Sequence, residues 1–291
     1  MQRNARVLLA LLALIAVFPD SVAAQQTQDL KTIEEGLKAV MVGKVVTLRA
    51  FYRGSELQFD STGRLVEGGK PGPWTLYGKV QVTNVRVRSQ DIEIEGHRIF
   101  LQYEENQGWK HLNSGEPVTI KVAYSTSGNP ETEIREALRR VLLAPGETIA
   151  DVAPPYWKGF LRKEMQKGNQ ASPRPASGED GKQPEPKGEP DLNETPRIRV
   201  SVGVQDARVL KKVEPRYPEI AKRRRVQGEV RLEAVIGADG RIKNLEIVGA
   251  RGMGLEEAVI EAVSQWEYSP TLLGGRPVEV ETVIIVRFRM Y

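Results

Sequence analysis

The chain has 291 residues, 40% of them hydrophobic and 27% charged, with a net charge of +4 and no cysteine. That length suffices for two small domains and a connecting segment. The absence of cysteine excludes disulfides, thiolate metal sites and a cysteine nucleophile, and so small a basic excess gives no argument for nucleic acid as a partner.

At the N-terminus, Arg3 and Arg6 precede an apolar run of 12 residues, Val7 to Phe18. Pro19 and Asp20 interrupt it, and Val22-Ala23-Ala24 supplies small residues before Gln25. A charged start, a short apolar stretch and an A-x-A-like end predict an export signal over residues 1–24. The alternative is a short N-terminal anchor, for which the run falls below the ~20 apolar residues of a spanning helix.

Residues 25–165 read as a mainly-β domain, barrel- or sandwich-like, with flanking helices. Leu30, Ile33, Leu37, Val40 and Met41 share one helical face, with Thr27 as its N-cap. Strands are predicted over 44–51, 56–59, 74–77, 79–88, 91–95, 98–103 and 117–124. The Val80, Val82, Val85, Val87 alternation slips at Thr83-Asn84, which predicts a bulge. Asn129-Pro130-Glu131 opens a helix whose apolar face is Ile134, Leu138, Val141 and Leu142. No chemistry is legible in this domain. His97 and His111 name no third metal ligand, Glu104-Glu105 point apart on a strand, and Gly68–Pro73 lacks the Gly-Lys-Ser/Thr ending of a phosphate loop, its prolines removing amides.

Residues 166–205 read as a Pro/Gly-rich disordered linker. Between 166 and 196 there are six prolines and four glycines but one large aliphatic residue, Leu192. Such a composition buries too little apolar surface to offset chain ordering.

Residues 206–291 read as an αββαβ domain with a three-stranded sheet. A short helix begins at Glu219, and Val230, Leu232, Ala234 and Ile236 share one strand face. Asp239-Gly240 signals a hairpin, and the strand after it slips phase near Asn244. Leu255, Ala258, Val259, Ala262, Val263 and Trp266 form one helical stripe, with Glu256 and Glu257 at its N-terminal dipole. The last strand, 278–290, alternates an apolar face with one bearing Glu279, Glu281, Arg287 and Arg289. The simplest sheet order is 2-1-3, with this last strand at an edge. Sequence leaves open which parity of its residues turns amides outward.

From Pro215 to Phe288 the chain resembles the TonB C-terminal domain family. The likeness rests on an ordered set: Pro215-x-Tyr217-Pro218-x-x-Ala221, Gly228-x-Val230, Asp239-Gly240, Ala258 through Trp266-x-Tyr268-x-Pro270, and Gly275-x-Pro277-Val278. The resemblance implies a periplasmic module that docks the box peptide of an outer-membrane transporter by β-strand addition. It implies relay of energy from an inner-membrane motor complex, for a chain anchored at its start. The implied contact residues are Val280, Thr282, Ile284 and Val286 on the last strand, with Glu214, Pro215, Arg216 and Tyr217. Glu214 stands where the family pattern has glutamine. An exposed edge is also the surface through which a second copy of the chain would pair as a homodimer.

Lys222, Arg223, Arg224 and Arg225 form a basic patch, read either as a solvated helix end or as a steering surface for acidic partners. No cofactor or metal is expected, and no nucleophile-base set suggests an enzyme. An exported adaptor that binds protein or cell wall without energy coupling is the alternative function. Cleavage before Gln25 is the expected processing. The intact mass of protein recovered from the envelope checks it: loss of residues 1–24 agrees, and retention of Met1 to Ala24 means an anchored chain.

Overall fold

The computed structural model describes residues 19–169, 196–201 and 208–290. The apolar run of the expected export signal and the middle of the expected linker lie outside these residues. No helix of the described residues is long and apolar enough to cross a membrane.

Contacts divide the chain into two compact units. The first comprises residues 1–72, 77–99 and 113–145, and the second 73–76, 100–112 and 146–291. The elements run α1 (Pro19–Met41), β1 (Val45–Thr47), β2 (Tyr52–Arg53), β3 (Glu56–Phe59), β4 (Leu65–Glu67), β5 (Lys70–Pro71), α2 (Trp74–Tyr77), β6 (Lys79–Val87), β7 (Asp91–Glu104) and β8 (Gly108–Ala123). They continue with α3 (Pro130–Val141), α4 (Ile149–Val152), α5 (Pro155–Asn169), β9 (Arg197–Arg199) and β10 (Val209–Lys211). The last are α6 (Glu219–Arg223), β11 (Gly228–Ile236), β12 (Ile242–Gly249), α7 (Leu255–Val263), β13 (Glu267–Tyr268), β14 (Thr271–Leu273) and β15 (Arg276–Phe288).

In place of the expected barrel or sandwich, the first half of the chain builds one open six-stranded sheet, β1-β6-β7-β8-β3-β4. The β3–β8 pair is parallel, whereas β1–β6, β6–β7 and β3–β4 are antiparallel. Sheet residues Leu57, Val80, Ile92, Ile94 and Ile120 share one core with Met41 of α1 and Ile134 of α3. The predicted cap at Asn129 is present, its Oδ1 accepting from Thr132 N at 3.2 Å. Helix α1 begins before Thr27, which is therefore not its cap.

Two strand predictions fail for visible reasons. Strands expected at 91–95 and 98–103 are one strand, because Gly96 is not a turn. It lies opposite the bulge between Val82 and Asn84, where a Cβ would meet the Gln81 carbonyl at 2.4 Å. Trp74–Tyr77 is a helical turn, with Leu76 N donating to Pro73 O. The buried Arg98 satisfies three backbone carbonyls, Tyr52, Gly54 and Tyr77, at 3.0–3.1 Å, which is how an unpaired guanidinium is tolerated inside.

The second unit gathers more of the chain than residues 206–291. Its sheet has order β12-β11-β15-β14, with β9 also paired to β15. The β12-β11-β15 part is the expected 2-1-3 arrangement, but the sheet has five strands rather than three and the last strand is not a bare edge, because β14 folds back on its start and β9 pairs with Glu279–Glu281. The slip near Asn244 appears as a register shift between Val235 and Ile236. Trp74, Tyr103, Trp109, Trp157 and Phe160 stack edge-to-face, with Trp74 and Trp157 5.3 Å apart. Trp157 donates its indole N–H to Glu257 Oε1 at 2.9 Å. Gly254 N donates to Thr75 Oγ1 at 3.1 Å, and Gln102 bridges to Gly252. Two parts of the expected linker have regular structure: α5 runs on to Asn169, and Arg197–Arg199 is a strand.

The α7 N-terminus holds a buried carboxylate, Glu256, and a half-buried one, Glu257. Glu256 accepts from the amides of Arg251 and Gly252, and Glu257 accepts from Trp157. Burial raises both carboxyls above their ordinary 4.5, and the neighbouring Glu257 charge raises Glu256 further. A raised folded-state value means stability that is complete below 4.5 and lost as pH climbs through the folded value. The depressed Glu229 and Glu279 act in the opposite window, below 4.5. Urea midpoints of the second unit are therefore expected to fall between pH 5 and pH 8. Glu257→Gln keeps the acceptor for Trp157 and removes the charge, so it should flatten that slope and stabilise by at least ~1 kcal/mol at pH 8. A variant with the parent's slope would contradict the assignment.

Candidate docking edge

Strand β15 pairs antiparallel with β11 from Val280↔Ile236 to Phe288↔Gly228. Its even-numbered side chains face the core: Val278, Val280, Thr282, Ile284 and Phe288 are buried. Side chains and in-plane backbone groups both alternate with period two, so odd-numbered residues turn their N–H and C=O to the other edge. Two hydrogen bonds fix that parity. Glu279 N donates to Pro196 O at 3.0 Å, and Val200 N donates to Glu281 O at 2.9 Å.

That outer edge is partly occupied. Residues Arg197, Ile198 and Arg199 of β9 lie parallel to Glu279, Val280 and Glu281. Arg197 donates Nε and Nη2 to Glu279 Oε2 at 3.1 and 2.9 Å, and Arg199 Nη2 donates to Glu281 Oε1 at 2.7 Å. Lys243 Nζ reaches Glu279 Oε1 at 2.6 Å. These cations, Lys243 foremost, hold the Glu279 carboxyl below its ordinary range. It therefore stays ionised at neutral pH, and its pairing is lost as pH falls below 4.5. Beyond Glu281 the backbone of Val283, Ile285 and Arg287 turns the same way, and among the described residues no strand pairs with them on that side.

The sequence-predicted contact residues divide. Val280, Thr282 and Ile284 are buried, and Val286 is half-buried with the same parity; their backbones face β11, not the outer edge. The edge belongs to the odd residues between them. Glu214 and Arg216 are exposed in an extended segment, with Glu214 paired to Lys212 at 3.1 Å. Pro215 is half-buried. Tyr217 donates its hydroxyl to Val226 O at 2.6 Å and packs its ring 5.0 Å from Phe288. Nearby, Trp266 donates Nε1 to Val213 O at 2.8 Å, with Lys212 Nζ over its ring. Lys222, Arg223, Arg224 and Arg225 are exposed around the end of α6, with Lys222 paired to Glu219 and Arg225 in the left-handed region at φ 55.

Sequence reasoning missed Arg197 and Arg199, because they close a proline-rich run. The signal present was the Arg197-Ile198-Arg199-Val200 alternation, a period-two pattern inside a segment otherwise without one.

The family model described as Gram-negative bacterial TonB protein C-terminal matches residues 213–290. Protein TonB of Vibrio cholerae is 35% identical over 85 residues, covering 29% of this chain and 35% of that protein. Protein TonB of Klebsiella pneumoniae is 32% identical over 122 residues, covering 41% of this chain and 48% of that protein. The match thus spans between about a third and about a half of the length of these curated relatives. The solution NMR structure of Pseudomonas aeruginosa TonB CTD is 25% identical, with a TM-score of 0.25, covering 28% of this chain and 84% of that one. Residues 213–290 thus match the TonB C-terminal domain family.

Proposed function

We propose that the chain is a periplasmic energy transducer of TonB type, docking an extended box peptide of an outer-membrane transporter onto the outer edge of β15. Its coupling to an inner-membrane motor complex requires an N-terminal anchor, as the family reading implies. The observation that carries this reading is the edge itself. Glu279 and Glu281 already pair with an added parallel strand, and just beyond it Val283, Ile285 and Arg287 turn backbone the same way, with no partner there among the described residues. Strand addition to such an edge draws affinity from main-chain hydrogen bonds and tolerates side-chain variation. At roughly 0.5–1.5 kcal/mol net for each bond, less the cost of ordering the peptide, affinity is on the order of micromolar. Tyr217, packed on Phe288, ties the Glu214–Arg216 segment to the C-terminal end of this strand and supplies exposed polar groups there.

Proline separates the two parities. At Ile285 it removes an outward donor and leaves the β11 ladder intact, so Ile285→Pro should keep the parent's circular dichroism and lose at least tenfold in affinity for a transporter box peptide. At Ile284 it removes a donor from the ladder and should destabilise the domain. Unchanged peptide affinity in a folded Ile285→Pro protein would exclude this edge.

A further inference from the structure

We infer that Pro196–Val200 is an intramolecular ligand of the β15 edge, held in register by an Arg-x-Arg clasp on Glu279 and Glu281, and that a partner strand entering along this edge competes with it. The competition rests on the strand-addition reading above; the occupancy does not.

The pairing has features that chance proximity of a passing segment lacks. It is a parallel ladder with three residues in register, continued at both ends by the Pro196 carbonyl and the Val200 amide. Its side chains repeat the same offset: Arg197 with Glu279 and Arg199 with Glu281, each an acid facing the base directly opposite. A one-residue slip would move both guanidiniums to the other face of the sheet and leave Glu279 with Lys243 alone. Glu279 is 8% exposed, and a carboxylate that buried keeps its charge only while cations stay against it. The bases are far more open, Arg197 at 53% and Arg199 at 80% of their side-chain surface, so they can be exchanged without disturbing the core. Ile198, between them, is half-buried.

A three-residue strand has few hydrogen bonds, yet it stays because it belongs to the same chain. Covalent connection gives it an effective concentration that a free peptide must match. It also contributes a chemical preference. The edge accepts a strand with cations at two alternate positions and an apolar residue between them, and a partner segment lacking those cations would leave Glu281 uncompensated and Glu279 with Lys243 alone.

The test uses the full chain and, as probe, a labelled synthetic peptide of its own residues 194–201. In the parent, the amides of Glu279 and Val200 should be protected from hydrogen exchange. In R197E/R199E, both should exchange at least ~5-fold faster, on the scale of two partly exposed ion pairs turned repulsive, with Leu232 and Ile247 unchanged. In a separate R199E variant, adding E281R should restore protection of Val200, which a merely local disturbance would not. The probe should bind R197E/R199E about 5- to 10-fold more tightly than the parent, because the competing strand has been weakened. Equal probe affinity for both proteins, or binding to neither, overturns the inference, as does parent-like exchange in the variant. A transporter box peptide run alongside separates the two claims. If it binds neither protein while the probe discriminates, the occupancy stands and the transporter reading falls. If it binds both equally, docking stands and the competition falls.

Discussion

Period-two alternation along β15 is the constraint on which the second unit depends. Each even-numbered residue gives its side chain to the core and its backbone to β11. Each odd-numbered residue gives its side chain to the opposite face and its backbone to the outer edge. The nine register pairs with β11 leave no freedom in this assignment, since a shift by one would expose Val280, Ile284 and Phe288 together. The same rigidity makes the outer edge a fixed template: whatever pairs there meets Glu279, Glu281, Val283, Ile285 and Arg287.

Charge decides which part of that template is filled. Glu279 is nearly buried and has two cations against it, Arg197 and Lys243, at 2.6–3.1 Å. Lys243 comes from β12 and Arg197 from the added strand, so the carboxylate links a resident strand of the sheet to β9. Farther along, Val283 and Ile285 are half-buried apolar residues without such a demand. Among the described residues one strand thus has a clasped half and a half without an outer partner, and two carboxylates mark the clasped half.

The other face of the unit is organised by α5 and the residues around Trp109. Trp157 is buried among Trp74, Trp109 and Phe160 and uses its one polar atom on Glu257. Residues 250–257 approach closely enough that glycine is required: a Cβ on Gly252 would meet the Leu101 carbonyl at 2.2 Å. The αββαβ core is therefore buttressed by segments far away in sequence. Two carboxylates are left at the α7 N-terminus, where backbone amides and the helix dipole favour their charge and burial opposes it.

The sequence by itself determined whatever depends on local periodicity and turn chemistry. It placed the Asn129 cap, the Val82–Asn84 bulge, the Asp239-Gly240 hairpin, the α7 stripe and the 2-1-3 order of β12, β11 and β15. These features follow from neighbours within a few residues, or from a two-way choice of core face. Tertiary structure alone decided the rest. Gly96 reads as punctuation until the Gln81 carbonyl is seen opposite it. Trp157 and Glu257 are 100 residues apart, and no pattern in either segment names the other. The parity of the β15 edge, and the strand lying on it, were hidden for the same reason. A strand's two edges are equivalent in sequence until a partner occupies one of them, and Arg197-Ile198-Arg199 is placed as a strand by the backbone and acids of β15 that it pairs with.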